Sequence, residues 1–389
     1  MSAVRTLFDT YRQESKTKRE QGTYFEKLVI DFLLNDERYS SQFTNVETLH
    51  DWASKHGYSS FDSGIDLFAT NSNEYGGGFS AIQCKFYNTT TISKSEIDSF
   101  MAASDKSYFN KRILVDTSEK GLNNVVENQL QDATKDFMRI SLEHFETSSI
   151  DWASYFKTET VKHVPQKELR PHQKEALDNT LAGFEAADRG KLLMACGTGK
   201  TFTSLKIAET YAGKNKRVLF LVPSLALMSQ TISEWSKETK TSLHAFAVCS
   251  DSGVGKRKKN DDDIADINIH DLAYPATTDA KKIAQKNSKV YPDKMTVVFS
   301  TYQSIDVINK AQTNFNMAEF DLIICDEAHR TTGATLLGDE DSNFVKIHDN
   351  DFIKGRKRLY MTATPRVYIG DVKAKAKEVS ADLYSMEEA

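Results

Sequence analysis

Beyond Leu169 the chain alternates short, almost wholly apolar runs with helix-compatible segments: "KLLMA", a helix from Lys200, "RVLFLVP", a helix from Ser224, then "SLHAFAVCS", "MTVVFST", "FDLIICDE" and "RLYMTATP". A strand with one wet face alternates polar and apolar residues. Runs that are apolar on both sides need cover on both faces, which helices packed over a parallel sheet provide. This pattern predicts a parallel α/β lobe over 169–389. Upstream, "YFEKLVIDFLL" (24–34) spaces its apolar residues at helical intervals, and strand-like runs fall near 65–69, 80–86 and 112–116, with "MRISLEHF" (138–145) as a last strand. These predict a compact α/β domain over 1–155, and the polar, proline-containing stretch 156–168 reads as a linker. A chain of 389 residues is long for one core, in keeping with two domains.

The stretch "KLLMACGTGKTFTSLKIAE" places Gly197-Thr198-Gly199-Lys200-Thr201 between a strand and a helix. Glycines there let backbone N–H groups close around phosphates at a helix N-terminus. Lys200 would reach the β- and γ-phosphates of ATP and the Thr201 hydroxyl would meet a Mg2+ ion. The pattern departs from GxxxxGK[ST] at its first position, where Met194 stands. About 130 residues later an apolar strand delivers Asp326 and Glu327 at its carboxyl end, where open α/β sheets bind ligands. Asp326 is expected to hold the magnesium and Glu327 to polarise the water that attacks the γ-phosphate.

A second polar constellation lies in "GIDLFATNSNEYGGGFSAIQCKFY" (64–87), read as two strands joined by a Gly-rich turn. With period two, Gln83 and Lys85 share one face of the second strand while Ile82, Cys84 and Phe86 share the other. Asp66 lies opposite Ile65 and Leu67, where strand pairing could bring it beside Gln83 and Lys85. Taken alone, this is compatible with a Lys–Asp pair on a solvated face. Asp62 and Glu74 read as loop residues, and His50, Trp52 and His56 have no spacing that requires a ligand role.

The formal charge of −5, from 50 basic and 55 acidic residues, gives no global positive field, so any nucleic-acid contact must come from local patches. The run "GVGKRKKNDDDIAD" (253–266) reads as a solvated loop, with a DNA-touching loop as the alternative. Four scattered cysteines form no CxxC pair, which argues against a zinc site or disulfide framework and suits a reducing cytoplasm. The charged N-terminus has no signal-peptide core, and no apolar run approaches the ~18 residues of a membrane span.

Six ordered segments over about 169–370 resemble the superfamily-two helicases and translocases: "LRPHQ", "MACGTGKT", "LVPSLALMSQT", "FSTYQSI", "DEAH" and "MTATP". The resemblance implies that Gln173 reads adenine, that Pro223-Ser224 and the segment near Thr301 hold a nucleic-acid backbone, and that Thr362 and Thr364 couple hydrolysis to movement. It also implies a second RecA-like lobe carrying an arginine finger. Only about two dozen residues follow "MTATP", so the expectation is a fragment, a truncated gene product or a chain completed by a partner, better suited to ATP binding than to fast turnover or translocation.

With that lobe downstream, Glu26 on a helix, Asp66, and the run Gln83-Cys84-Lys85 resemble the PD-(D/E)xK fold of Mrr-type restriction endonucleases, in a QxK variant. The resemblance covers about 20–145 and implies that the first domain is built on a mixed sheet. Phosphodiester hydrolysis by that fold uses a divalent ion held by oxygen ligands and a group that orients water. It implies Asp66, the Gln83 side-chain oxygen and the Cys84 carbonyl as metal ligands. Lys85 would position the nucleophile or stabilise developing charge, and Glu26 would complete the shell or orient a water. Gln83 replaces the usual acid, which should weaken metal affinity. Together the halves are similar to the start of an ATP-dependent restriction enzyme of the type ISP kind, with type I motor subunits a close alternative. That implies double-stranded DNA as partner, and a methyltransferase and target-recognition domain elsewhere. Competing expectations are an ATP-switched DNA-binding regulator with an inactive nuclease pocket and an RNA-directed helicase fragment.

Overall fold

The computed structural model describes residues 2–57, 64–120, 122, 124–131, 135–249, 268–274, 276–289, 291–331, 333–336, 343–364 and 381–384. Asp62 and the charged run 253–266 lie outside the described residues. The chain divides into two compact units, one formed by Met1–Gln166 with His270–Pro275 and the other by the remainder.

The first unit opens with α1 (Ala3–Glu14) and α2 (Lys18–Asn35), continues through β1 (Phe43–Thr48), α3 (Leu49–His56), β2 (Leu67–Asn71) and β3 (Phe79–Lys85), and then α4 (Lys94–Ala103), β4 (Phe109–Asp116), α5 (Asn124–Gln131), β5 (Asp136–Ile140), α6 (Leu142–Glu146) and α7 (Trp152–Thr158). Its five strands lie in sequence order, β1, β2 and β3 antiparallel, β3, β4 and β5 parallel. Thr17 caps α2 by accepting the Glu20 N–H, and Phe25, Leu28, Val29, Phe32 and Leu33 form one buried stripe at i, i+3, i+4, i+7 and i+8. Burying such a side chain contributes roughly 1.5–3 kcal/mol relative to exposing it. Phe25 stacks on Phe86 just past β3, so the helix bearing Glu26 is fixed against the strand bearing Gln83. Trp52 lies in the core, stacked on Phe68.

Three local expectations differ from the structure. Asp66 precedes β2 rather than lying within it, although its N–H still donates to the Ile82 carbonyl. The run 138–145 is half strand and half helix, because Ser141 caps α6 and ends β5. The stretch 156–168 is largely tied to the first unit: α7 extends to Thr158, and the Asp151 and Val164 amides bond the Lys162 and Ser149 carbonyls.

The second unit contains α8 (Pro171–Ala186), β6 (Arg189–Leu193), α9 (Lys200–Tyr211), β7 (Arg217–Val222), α10 (Leu225–Glu238), β8 (Leu243–Val248), α11 (Ala280–Ser288), β9 (Met295–Thr301), α12 (Ile305–Asn314), β10 (Phe320–Cys325), β11 (Gly333–Leu336), β12 (Gly355–Thr362) and β13 (Ala381–Tyr384). Six strands form a wholly parallel sheet in the order β6-β12-β10-β7-β9-β8, with β11 and β13 a separate antiparallel pair. On β7, Leu219 and Leu221 join a cluster with Ile283 of α11 and Ile305 and Ile308 of α12, whereas Phe220 meets Trp235 of α10 edge-on. Both faces are therefore covered, as the apolar runs require. The architecture is the α/β class expected from sequence. Among the described residues no helix is long and apolar enough to cross a membrane.

Candidate functional sites

At the carboxyl end of β6 the chain turns through Gly197 and Gly199, at φ +76° and +88°, left-handed values that L side chains rarely adopt. Gly199 caps α9, so the first amides of that helix follow the loop and offer unpaired N–H donors. Lys200 and Thr201 occupy the first turn. The Trp235 indole N–H donates to the Thr201 carbonyl at 3.1 Å, fixing α9 to α10.

Gln173 is buried against this loop. Its Nε2 donates to the Thr198 carbonyl at 2.9 Å, and its Oε1 accepts the Arg170 N–H at 2.9 Å. Both ends of the carboxamide are thus engaged within the chain, on the Gly197–Gly199 loop and on the start of α8. A cavity of about 430 Å³ adjoins it, lined by Arg170, Gln173, Gly197, Gly199, Phe202 and Glu234 among others, within the usual size range for small-ligand sites.

The strand after which Asp326 and Glu327 emerge is β10, separated from β6 only by β12. Burial, and then the neighbouring Glu327, push the Asp326 carboxyl up to about 6; the Glu327 N–H and the Lys200 ammonium oppose this without cancelling it. Lys200 is therefore close enough to act on Asp326 electrostatically. Glu327 has a left-handed backbone, φ +48°, and its N–H donates to Asp326 Oδ1 at 2.9 Å. His329 joins the two segments: its Nδ1 lies 3.2 Å from Glu327 Oε2 and 3.0 Å from Thr362 Oγ1 at the end of β12. Sequence reasoning gave His329 no role, although its place in DEAH marked it. Tyr302, buried beneath, donates its hydroxyl to the Asp326 carbonyl at 2.8 Å.

In the first unit, Asp66 Oδ2 accepts the Cys84 N–H at 2.6 Å, which brings the acid onto the Gln83-Cys84-Lys85 strand. The Glu26 carboxyl is pushed up to about 7, first by burial and then by the Asp66 charge, so helix α2 delivers it to the same neighbourhood. Burial, with Asp66 and Glu26 nearby, holds the Cys84 thiol well above its ordinary range and therefore neutral. Gln83 is 4% exposed; its Nε2 donates to the Gly64 carbonyl at 2.9 Å, and its Oε1 has no partner among the described residues. A buried acceptor without a donor is costly, and a cation would satisfy it. Among the described residues there is no group of three or more His, Cys, Asp or Glu able to hold a metal. The donor set that fits is instead one carboxylate, one amide oxygen and one backbone carbonyl, all hard oxygen ligands suited to Mg2+ or Mn2+.

Lys85 extends to Glu96 of α4, 3.3 Å away, and Tyr87 donates its hydroxyl to the same carboxylate. Burial raises the Glu96 carboxyl, but the hydrogen bonds from Tyr87 and from the Ser93 amide and hydroxyl, with the Lys85 charge, prevail and hold it at about 2. Glu96 thus stays anionic and fixes the Lys85 ammonium. It was not singled out from the sequence, where the S-x-x-E capping box at Ser93 was the available signal.

Residues 166–367 match the family described as type III restriction enzyme, res subunit, and residues 34–162 match a restriction endonuclease domain family. A probable helicase of African swine fever virus is 31% identical over 215 residues, covering 54% of this chain and 21% of the viral protein. The solved structure of the ATP-dependent type ISP restriction-modification enzyme LlaBIII bound to DNA is similar at 38% identity and a TM-score of 0.76, over 98% of this chain and 24% of that enzyme. The chain thus spans about a fifth and a quarter of these relatives. On the match across its second half, with a restriction endonuclease domain ahead of it, the chain belongs to the restriction-enzyme family described as type III restriction enzyme, res subunit.

Proposed function

We propose that the chain is the nuclease-and-motor portion of an ATP-dependent restriction endonuclease of the type ISP kind, acting on double-stranded DNA in the cytoplasm. The observation that carries the reading is the 2.6 Å bond from the Cys84 N–H to Asp66, which brings the carboxylate onto the strand that carries Gln83 and Lys85. Asp66, Gln83 Oε1 and the Cys84 carbonyl would hold Mg2+. When bound, the ion neutralises phosphate charge and favours an ionised water. Lys85, held by Glu96, supplies positive charge where the phosphorane oxygen charge develops, and Glu26, about half protonated at pH 7, holds or relays a proton at the water. In the second unit the loop amides, Lys200 and Thr201 would bind the phosphates and Mg2+ of ATP, with Asp326 as metal ligand and Glu327, oriented by His329, directing the water. A second motor lobe, a methyltransferase and a target-recognition domain would act with this portion, in the same protein or in partner subunits; the DNA-bound restriction-modification enzyme LlaBIII, of which this chain covers 24%, is the similarity behind the reading.

The test is incubation of the chain with supercoiled plasmid and Mg2+ or Mn2+. Wild type is expected to nick, and Asp66→Ala and Lys85→Ala to lose nicking while keeping their thermal melts; undiminished nicking in both variants would remove the site assignment. A second reading, a DNA-binding regulator with an inactive pocket, draws on the Lys85–Glu96 pair and the absence of a three-ligand cluster among the described residues. DNA binding without nicking by any variant or wild type would favour it.

A further inference from the structure

The first unit includes a piece of chain from far downstream. Residues His270–Pro275 belong to it, although the residues before and after them belong to the second unit. The insertion is well seated: Leu272 and Tyr274 are each 1% exposed, Gln42 Nε2 donates to the Ala273 carbonyl at 2.8 Å, and His144 Nε2 donates to the Asp271 carbonyl at 3.0 Å. Its upstream flank follows β8, and its downstream flank resumes pairing with the same strand, through an Ala247–Ala276 bridge and the Thr277 N–H to the Ala247 carbonyl. The segment is therefore a loop whose tip, Asp271 to Tyr274, is packed into the first unit.

What the tip touches gives it a consequence for the nuclease site. Asp271 Oδ1 lies 3.5 Å from Arg139 Nη1. Arg139 reaches in turn to the fully buried Asp116, Nε to Oδ2 at 2.7 Å and Nη2 to Oδ1 at 3.1 Å. Asp116 is the last residue of β4 and the register partner of Lys85 on β3, and the next amide, Thr117 N–H, donates to the Lys85 carbonyl at 3.2 Å. Two carboxylates thus flank one guanidinium, and the inner carboxylate stands at the strand end that holds Lys85. A buried carboxylate keeps its position only while its counter-ion does, and an arginine anchored on both edges is better fixed than one anchored on a single edge.

We propose that Asp271, acting through Arg139 and Asp116, is a positioning residue for Lys85, so that a segment distant in sequence completes the geometry of the nuclease site within the first unit. The proposal rests on the nuclease reading for its activity consequence but not for its structural one, and the test uses both. In the full-length chain, Asp271→Ala should lower the rate of Mg2+-dependent plasmid nicking about 10-fold at saturating DNA, leave the DNA concentration for half-maximal rate unchanged, and be largely rescued by Asp271→Glu. Hydrogen exchange at the Thr117 amide should accelerate about 10-fold in Asp271→Ala, while the Leu67–Asn71 amides of β2 keep wild-type rates. If wild type does not nick, the nuclease reading fails, and the exchange result alone decides the inference. Wild-type exchange at Thr117 in Asp271→Ala, with or without a loss of nicking, overturns it. So does an acceleration spread equally over β2, which would mark general unfolding.

Discussion

Substituting Gly199 by alanine tests the phosphate loop and its latch together. At φ +88° an added Cβ carries the left-handed penalty of ~1 kcal/mol, and it would lie 2.4 Å from Gln173 Nε2. The far end of a glutamine ordinarily moves aside cheaply, but this one is bonded at both ends of its carboxamide, to the Thr198 carbonyl and the Arg170 amide. Displacing it forfeits two hydrogen bonds at ~1 kcal/mol each. The sum, about 3 kcal/mol, disfavours the loop conformation that closes around phosphates and should weaken apparent nucleotide affinity roughly 100-fold. In a Gln173→Ala background the collision is gone and only the backbone cost remains, so the same glycine substitution should weaken binding only ~5-fold. Titration of the intact chain with a fluorescent ATP analogue, with melts to confirm folding, measures all four corners of this cycle. Wild-type affinity in Gly199→Ala, or an equal effect of the substitution in both backgrounds, would refute the latch.

Lys200→Ala should abolish nucleotide binding in the same titration while plasmid nicking persists, since the two sets of side chains lie in separate units; retained ATP affinity would contradict the loop assignment. Trp235, fully buried between Phe220 and Phe299 and bonded to the Thr201 carbonyl, should cost ~3–5 kcal/mol on truncation to alanine, read as a lower urea midpoint. Burial, aided by Arg189 and Arg358, pushes His348 down to about 4 against the opposing bond to the Thr331 carbonyl, so the fold holds this ring neutral while the unfolded chain protonates it near 6.5. Stability from this group is present above pH 6.5 and is lost as the pH falls through 4, on the order of 3 kcal/mol in full. Urea titrations between pH 7.5 and 4.5 should show a shallower decline in His348→Gln, and an unchanged decline would exclude the residue. DNA binding should fall steeply with added salt as phosphate contacts release counterions.

The parts of this molecule that sequence made legible are those whose chemistry is local. The glycine turn before Lys200 and the apolar strand ending in Asp326 each state their geometry within a dozen residues, and the all-apolar runs of β7, β9 and β10 leave little choice but a two-sided cover. The stripe from Phe25 to Leu33 likewise declares which way α2 faces. Distant partners were hidden. Nothing near Lys85 announces that Glu96 will hold its ammonium, because a capping box looks the same whether or not its glutamate has a second task. Thr362 could be assigned to a strand end but not to His329, since their meeting depends on β12 inserting between β6 and β10. The six residues 270–275 were passed over altogether, for their apolar pair Leu272 and Tyr274 is too short to register as an element. Asp66 was expected inside a strand because alternation carries no marker for where pairing starts.

The sheet order also has a consequence for how the protein is made. The strand that leads into the Gly197–Gly199 loop, β6, has one hydrogen-bonded neighbour among the described residues, β12, and about 160 residues separate the end of the first from the start of the second. At translation rates of about 5–20 residues per second, β6 waits on the order of 10–30 s on the ribosome with both edges unpaired. Nascent chains of this protein therefore carry an unpaired β6, and the loop between Gly197 and Gly199 gains its full sheet support only after β12 has been made.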